Sequence, residues 1–152
     1  MELRSRPLFV LDAWLDAPQI VADTPAGGRK LVTVNGGTFT GERLRGKILP
    51  AGGADWALTR TDGSLLLDVR LTLETDDGAR ILMMYRGLRH GPAEVLARVG
   101  RGDPVDPAEY YFRIAPHFET GAPAYHWLNN ILCIGIGERL ARGPRYTVFE
   151  IL

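Results

Sequence analysis

The stretch Leu65-Leu-Leu-Asp-Val-Arg-Leu-Thr-Leu-Glu-Thr75 alternates aliphatic and mostly polar side chains along its length. This period of two predicts a β-strand over residues 65–75, because successive side chains of a strand point to opposite faces. Five aliphatic side chains share one face, while Asp68 and Arg70 lie on the other. Alternation alone does not distinguish the two sides of a sheet, so Asp68 and Arg70 fit either a solvent-exposed face or the lining of a cavity.

Turn sequences flank this strand on both sides. Thr61-Asp62-Gly63 precedes it and Asp76-Asp77-Gly78 follows it. Asp-Gly between alternating runs is a strong hairpin signal, because glycine adopts a positive φ without strain. We therefore predict an antiparallel meander formed by residues of about 43–50, 55–60, 65–75 and 79–88.

Similar strand-like runs extend over the rest of the chain and bring the predicted total to about nine or ten strands. They are Leu8–Leu15, Lys30–Phe39, Tyr110–Phe118, Leu132–Glu138 and Tyr146–Leu152. One helix interrupts them over residues 92–99, where a proline starts the segment and Gly100 ends it. The fold is predicted to be mainly β, a sandwich or a barrel, with the helix lying across one opening of the barrel.

The composition bounds the class of protein. A chain of 152 residues with 45% hydrophobic and 24% charged residues is typical of one globular domain, which we place at residues 1–152. Its 18 basic and 18 acidic residues cancel without a basic run, which argues against a nucleic-acid partner. No signal peptide or membrane span is recognisable, so the expectation is a soluble cytoplasmic protein without a membrane partner.

One near-motif resembles a nucleotide-binding loop. Gly41-Glu-Arg-Leu-Arg-Gly-Lys-Ile48 is one residue away from the phosphate loop G-x-x-x-x-G-K-[ST]. Ile48 replaces the hydroxyl that would hold magnesium, and Pro50 prevents a long helix from starting at the required place. These glycines are better interpreted as turn and bulge positions of a closed sheet.

Other catalytic and metal-binding patterns are also missing. Ser5 and Ser64 do not lie in a G-x-S-x-G motif, and Cys133 is interpreted as a small buried side chain. The three histidines, His90, His117 and His126, lack metal-ligand spacing. We therefore predict no metal site, and the absence of cofactor-binding motifs predicts no redox cofactor.

Residues 110–127 combine aromatic, charged and turn-forming side chains. In the strand part, Tyr111 and Arg113 share one face, and Glu119, Tyr125 and Trp127 follow in a segment that contains glycine and proline. Aromatic walls with few polar groups are typical of a ligand pocket. An exposed ion pair between Arg113 and Glu119, with the aromatic side chains in the core, explains the composition equally well.

Many short motifs occur in the same order as in one known family. They are Gly36-Gly-Thr-Phe-Thr-Gly41, Leu44-Arg-Gly46, Gly52-Gly-Ala-Asp55-Trp56, Asp62-Gly63, Leu67-Asp-Val-Arg70, Thr75-Asp-Asp-Gly78, Arg86-Gly87, Tyr110-Tyr-Phe-Arg113, Phe118-Glu-Thr-Gly121 and Tyr125-His-Trp-Leu128. Over residues of about 8–151 the chain resembles domain of unknown function 3237, also called uncharacterised protein family 0311. The resemblance implies an antiparallel closed β-barrel of calycin type, like that of allene oxide cyclases and dirigent proteins, with a cavity inside.

The resemblance also implies a set of polar and aromatic site residues. Its members are Asp55, Trp56, Arg70, Arg86, Tyr111, Arg113, Glu119, Tyr125 and Trp127. Ala54 lengthens the family's usual glycine-glycine-aspartate run by one residue, which affects the register of Asp55. With this pattern, we expect Arg70 and Arg113 to line the cavity instead of the surface.

Two classes of function fit these residues. The first is an enzyme that performs isomerase, cyclase or lyase chemistry on a small aromatic or oxo-acid metabolite. In it, Arg70 and Arg113 hold a carboxylate or enolate and Asp55 or Glu119 is the general base. The remaining members of the set bind substrate: Trp56, Arg86, Tyr111, Tyr125 and Trp127.

The second class is non-catalytic. One alternative is a carrier that holds a small amphipathic ligand inside the barrel, and the other is a structural module. In the structural module, exposed aliphatic strand faces form a homo-oligomer, and a homo-oligomer is the expected assembly of this chain.

Overall fold

The computed structural model describes residues 1–152 and consists mainly of β-strands. The ten strands are β1 (Ser5–Leu15), β2 (Gln19–Thr24), β3 (Gly27–Thr40), β4 (Arg45–Ile48), β5 (Ala54–Thr59), β6 (Leu65–Thr75), β7 (Arg80–His90), β8 (Tyr111–Glu119), β9 (Cys133–Leu140) and β10 (Gly143–Ile151). One α-helix, α1, spans Ala93–Arg101, and two 3-10 helices span Pro107–Glu109 and Pro123–Asn130.

The strands close into an antiparallel barrel. Neighbours around the wall run in the order β1, β10, β9, β8, β7, β6, β4 and β3, and β1 pairs with β3 to complete the ring. The result is an eight-stranded closed β-barrel. This confirms the predicted fold class, including the short helix near residues 92–99.

The predicted meander is correct for three of its four strands. β5, β6 and β7 pair in sequence order, but β4 and β5 do not pair with each other. They lie end to end, each between β3 and β6, and together fill one position of the barrel wall. The connection at residues 49–53 breaks the strand, because Pro50 cannot donate a ladder hydrogen bond and Ala51 has a φ of 58°.

The sequence pattern missed β2, which pairs only with the first part of β3. Its residues are nearly all exposed on both faces, so no apolar and polar alternation marks the strand. A bulge between Ile20 and Ala22 further disturbs the period, and Ala22 has a φ of 77°.

The aliphatic face of β6 points into the barrel. Its five aliphatic residues from Leu65 to Leu73 belong to one cluster of 27 buried residues that fills the interior. Asp68 and Arg70 therefore lie on the outer face, where they form an ion pair of 3.6 Å. The burial of its aliphatic residues thus shows which face of β6 points inward, which the alternation alone could not show.

Two glycines of β9 leave room for large side chains from the neighbouring strand β8. A Cβ at Gly135 would lie 2.5 Å from Ile114, and one at Gly137 would lie 2.6 Å from the ring of Phe112. Both distances are shorter than any tolerable carbon contact, so glycine at each position lets the interior pack without strain.

Helix α1 lies at one end of the barrel. Pro92 precedes it, and Gly102, in a left-handed conformation, ends it by donating its N–H to the carbonyl of Val99. Val95 and Val99 are buried against the interior cluster, as expected from the apolar stripe of the helix. No helix of the structure is long and apolar enough to cross a membrane.

Candidate functional site

A cavity of about 380 Å³ lies inside the barrel beneath α1. Eleven of its 20 lining residues are hydrophobic, and Val99 and Gly100 of the helix contribute to its cover. A wider groove of about 540 Å³ runs along β2 and β3, but only two of its 11 lining residues are hydrophobic. The inner cavity is the better candidate for a ligand site, because it offers apolar walls together with a few polar groups.

Most polar side chains of the cavity come from strands that are distant in the sequence. Asp16 and Arg142 lie in the connections after β1 and β9, and the strand residues are Lys30 of β3, Asp55 of β5, Tyr85 and Arg89 of β7, Arg139 of β9 and Tyr146 of β10. Strand alternation turns them inward: Lys30 shares a face with the buried Val32 and Val34. Closure of the barrel is what brings them together.

Asp55 lies diagonally across from Lys30 on two paired strands. In the β3–β5 ladder, Lys30 faces Ala57 and Val32 faces Asp55. Diagonal neighbours of this kind are within reach of a long side chain. One carboxylate oxygen of Asp55 accepts a hydrogen bond of 3.0 Å from the backbone N–H of Asp68, at a point where β5 and β6 form no regular pair.

The carboxyl group of Asp55 is suited to proton transfer near neutral pH. Burial raises its pKa to about 6, against the opposing effects of the Asp68 hydrogen bond and of the positive charges of Lys30 and Arg89. At pH 7 most of the molecules therefore carry an ionised Asp55, and its conjugate acid is still readily formed. That combination is what a general base needs when it must also return the proton.

Three cations of the cavity, Lys30, Arg89 and Arg139, have no acidic partner within salt-bridge distance. The eight ion pairs of the structure all involve other residues. Arg89 places its guanidinium carbon 5.6 Å from the centre of the Phe112 ring, and Arg139 donates to the carbonyl of Leu140. The cavity therefore holds more positive than negative charge.

Burial and mutual repulsion act on these cations together. Desolvation is the main cause that lowers the pKa of Lys30, and the charges of Arg89 and Arg139 lower it further, while Asp55 opposes them. Burial likewise lowers the pKa values of Arg89 and Arg139. A bound anion would relieve this repulsion, so the cavity favours ligands with negative charge.

Two tyrosines provide hydroxyl groups in the cavity wall. The rings of Tyr85 and Tyr146 meet edge to face with 5.5 Å between their centres, and burial raises the pKa of each hydroxyl. The hydroxyl of Tyr85 approaches that of Tyr146 as a donor, which adds to the rise in its own pKa and opposes the rise in the pKa of Tyr146, but the contact is not a hydrogen bond of regular geometry and the proton of Tyr146 has no acceptor. An unpartnered buried hydroxyl is free to donate to a ligand oxygen.

Of the nine predicted site residues, the structure places Asp55 in this cavity. Arg70 and Trp56 lie on the outside of the barrel, where the guanidinium carbon is 5.8 Å from the indole centre. Both line a shallow outer groove beside β3. Arg86 is exposed on the outer face of β7, on the opposite parity to Tyr85 and Arg89.

The predicted residues of β8 also lie on the outside. Tyr111 stacks on the ring of His90 at 4.9 Å, and the guanidinium carbon of Arg113 lies 4.9 Å from the Tyr111 ring. Phe112 and Ile114 take the inner face of that strand. Glu119 is exposed at the end of β8 that is remote from the cavity.

Tyr125 and Trp127 lie in the 3-10 helix Pro123–Asn130 at the opposite end of the barrel. The hydroxyl of Tyr125 donates to Asp77 at 3.0 Å, in the turn between β6 and β7. Trp127 packs beneath the guanidinium of Arg43, 3.9 Å from the ring centre. The structure therefore divides the predicted set between the cavity, the outer wall and the far end.

Sequence reasoning did not identify seven polar residues of the cavity: Asp16, Lys30, Tyr85, Arg89, Arg139, Arg142 and Tyr146. The signal that would have identified the strand residues among them is a spacing of two or four from inward-facing aliphatic residues of the same strand. Ile81, Met83, Tyr85 and Arg89 fall on one face of β7 at a spacing of two, so the inward position of Arg89 was available from the sequence.

The fold and the cavity define a closed β-barrel with a cationic interior pocket. A family model described as a protein of unknown function, DUF3237, matches residues 3–151, and the chain belongs to that family. It is 35% identical to a UPF0311 protein of Rhodopseudomonas palustris over 150 residues, and this alignment covers 99% of this chain and 97% of the relative. These matches confirm the resemblance read from the short motifs.

Solved structures share the whole architecture. The crystal structure of a conserved protein of unknown function from Rhodopseudomonas palustris matches with a TM-score of 0.96 at 35% identity, over 100% of this chain and 99% of that chain. A β-barrel-like protein from Acinetobacter baumannii matches with a TM-score of 0.87 at 38% identity, over 100% and 98%. An enzyme from Penicillium herquei matches with a TM-score of 0.76 at 21% identity, over 100% and 96%. At that identity the third match shows the fold alone.

No three histidine, cysteine, aspartate or glutamate side chains come together in a group that could hold a metal ion. The polar groups of the cavity are cationic and phenolic apart from its carboxylates, Asp55 and Asp16. This donor set suits an anionic organic ligand better than a divalent cation, which prefers several oxygen ligands with negative charge.

Proposed function

We propose that this protein is an acid–base enzyme that moves a proton on a small aromatic or oxo-acid metabolite held in the barrel. The observation that carries the proposal is the inward carboxyl group of Asp55, among cations that lack acidic partners. The overall reaction would be of the isomerase, cyclase or lyase type.

Four polar groups of the cavity have roles in this proposal. The carboxylate of Asp55 removes a proton from a carbon next to the substrate carbonyl and later returns it. Arg89 and Arg139 bind the substrate carboxylate, since guanidinium groups stay charged when partly buried. The free hydroxyl of Tyr146 donates to the oxygen where negative charge develops.

The cavity also supports the choice of a small substrate with an apolar body. Its volume of about 380 Å³ lies near the lower end of the range for small-molecule sites, and Phe112, Leu65 and Leu67 supply apolar wall. The seven outer and far-end arginine and aromatic residues considered above have no part in this cavity chemistry, and neither does Glu119; the seven are Trp56, Arg70, Arg86, Tyr111, Arg113, Tyr125 and Trp127.

A comparison of Asp55→Asn with a matched control tests the proposal. The purified protein is incubated with a panel of aromatic and oxo-acids, and both exchange of α-protons with deuterium and product formation are measured. We expect Asp55→Asn to lower turnover by about 10²–10⁴-fold while ligand binding persists. Asp12→Asn is the control, because Asp12 pairs with Arg145 away from the cavity.

The same experiment separates an enzyme from a carrier. Binding without exchange or turnover across the panel would favour the carrier. Turnover that Asp55→Asn leaves intact would refute the assignment of the base.

The predicted homo-oligomer is a separate proposal. Ile134 and Ile136 are 41% and 42% exposed on the outer face of β9, which supports self-association through the barrel wall. Sedimentation equilibrium of the wild type and of Ile136→Lys tests it. A monomeric wild type at micromolar concentration would refute it.

A further inference from the structure

Lys30 differs from the other lysine of the chain in its surroundings. The sequence contains two lysines, Lys30 and Lys47. Lys47 lies on β4, and its ammonium group pairs with Glu74 at 3.2 Å with most of its side chain exposed. Lys30 lines the cavity, forms no ion pair, and shares its face with Val32 and Val34.

The groups around Lys30 favour its neutral amine. Arg89 and Arg139 place positive charge nearby, and Asp55 is the acid that opposes them. Desolvation in the cavity adds to the same effect and lowers the pKa of Lys30. A lysine that is partly desolvated beside other cations is a general way of obtaining a nucleophilic amine near neutral pH.

We propose that Lys30 is a covalent nucleophile whose amine condenses with the carbonyl carbon of an oxo acid bound in the cavity to form a Schiff base. The inference rests on the proposed function in taking an oxo acid as the ligand and Asp55 as the group that transfers protons. It adds a bond between enzyme and substrate that acid–base chemistry by Asp55 alone does not require.

The condensation balances with the groups present. The lone pair of Nζ forms the new C–N bond, and the electrons of the carbonyl π bond move to its oxygen. One proton leaves the nitrogen and one is supplied by the carboxylic acid form of Asp55, so that the oxygen departs as water. The product is an iminium ion between Lys30 and the former carbonyl carbon, and no oxidant or reductant is consumed.

The iminium ion explains why the cavity needs both kinds of group. Its positive charge accepts the electron pair that remains when a proton leaves the adjacent carbon. Arg89 and Arg139 are placed to hold the substrate carboxylate during the condensation. Asp55 can transfer the protons, because its carboxyl group lies diagonally across from Lys30 in the β3–β5 ladder.

Reductive trapping tests the proposal directly. The protein is incubated at pH 7.5 with pyruvate or phenylpyruvate and sodium cyanoborohydride, which converts a Schiff base to a stable secondary amine. Intact mass followed by peptide mapping locates the adduct. We expect Lys30 to be labelled at least about tenfold faster than Lys47 or the amino group of Met1, because the cavity supplies both a neutral amine and a bound carbonyl.

Two conservative variants serve as a matched pair. Lys30→Arg keeps the positive charge and removes the nucleophile, so the cavity adduct should disappear while circular dichroism shows an intact barrel. Lys47→Arg should retain the full adduct. Labelling at equal rates on Lys30, Lys47 and Met1, or no adduct with either oxo acid, would overturn the proposal.

The outcome also separates the two proposals. If no adduct forms on Lys30 but turnover still depends on Asp55, the acid–base enzyme stands and the Schiff base fails. If Lys30 is trapped while Asp55→Asn leaves turnover unchanged, the assignment of the nucleophile stands and that of the base fails.

Discussion

The two ends of the barrel differ in whether their buried carboxylates form ion pairs. At the far end, Glu150 is 6% exposed and accepts hydrogen bonds from Arg6 at 2.8 Å and from Arg43. At the cavity end, Asp55 accepts one backbone hydrogen bond, and Lys30 and Arg89 stand near it without forming an ion pair.

The difference is visible in the acids themselves. Hydrogen bonding from Arg6, and then from Arg43, lowers the pKa of Glu150, whereas burial raises the pKa of Asp55 to about 6. The far end therefore stabilises the fold with neutralised charges. At the cavity end the charged groups form no ion pairs, which is typical of a ligand-binding site.

The largest expected effect on stability is a gain at the cavity end. Because the folded pKa of Asp55 lies above its unfolded value of 3.8, its ionisation makes folding less favourable as pH rises from about 4 to above 6. We expect Asp55→Asn to be more stable than the wild type by up to about 3 kcal/mol at pH 8, and nearly equal to it at pH 4. Urea denaturation at both pH values measures this, and an equal difference at both would contradict it.

A ligand-binding measurement at the cavity end comes next. Arg89→Met removes one cation that lacks an acidic partner, so the dissociation constant for phenylpyruvate should rise by about 10–100-fold. Arg80→Met is the control, because Arg80 lies on the same strand but pairs with Glu74 outside. Calorimetric titration compares the variants. Equal losses in both would show that the anion binds elsewhere than in the cavity.

The far end should respond to loss of charge with a loss of stability. Glu150→Gln weakens the charged hydrogen bonds to Arg6 and Arg43, and we expect it to destabilise the fold by about 1–2 kcal/mol at pH 7. Since the folded pKa of Glu150 is lowered, this contribution is present above the unfolded pKa and is lost as pH falls through the folded one. Denaturation at pH 7 and pH 3 should show the gap closing, and a stabilised variant would invalidate the comparison between the two ends.

The smallest effect concerns the shape of the cavity. A methyl group at Gly137 would push the ring of Phe112, which lines the cavity, and we expect Gly137→Ala to cost about 1 kcal/mol and to weaken phenylpyruvate binding. Gly121→Ala is the control, since nothing lies within 4 Å of a Cβ there and Gly121 does not line the cavity. Thermal melting and titration measure both. Unchanged binding in Gly137→Ala would show that Phe112 does not shape the ligand site.

Local sequence patterns predicted most of the fold. Alternation identified β6 over its full length, and Asp-Gly turns identified the hairpins on either side of it. The end-to-end arrangement of β4 and β5 was not predictable in this way, because both segments pair with β3 and β6 and differ only in register.

The candidate site was harder to predict from the sequence than the fold. Asp55 was found through the family pattern, but Lys30 and Arg139 come from strands more than 100 residues apart and meet only because the barrel closes. Arg70 and Arg113 were expected in the cavity. Each is next in sequence to an inward-facing residue, Val69 or Ile114, so its own side chain points to the outer face. Inside and outside become distinguishable once the aliphatic face of each strand is assigned to the barrel interior.

The break between β4 and β5 makes the side-chain direction of Asp55 a matter of loop length. Five residues, 49–53, connect two strands whose partners β3 and β6 run past without interruption. A residue gained or lost inside β5 would turn the rest of the strand to the opposite face, whereas one gained or lost in the connection either is absorbed there or shifts β5 by one position against its partners. Only a shift of that kind would let Ala54 or Trp56 replace the carboxylate that faces the cavity, so the length of the connection and the pairing of β5 together keep Asp55 turned inward.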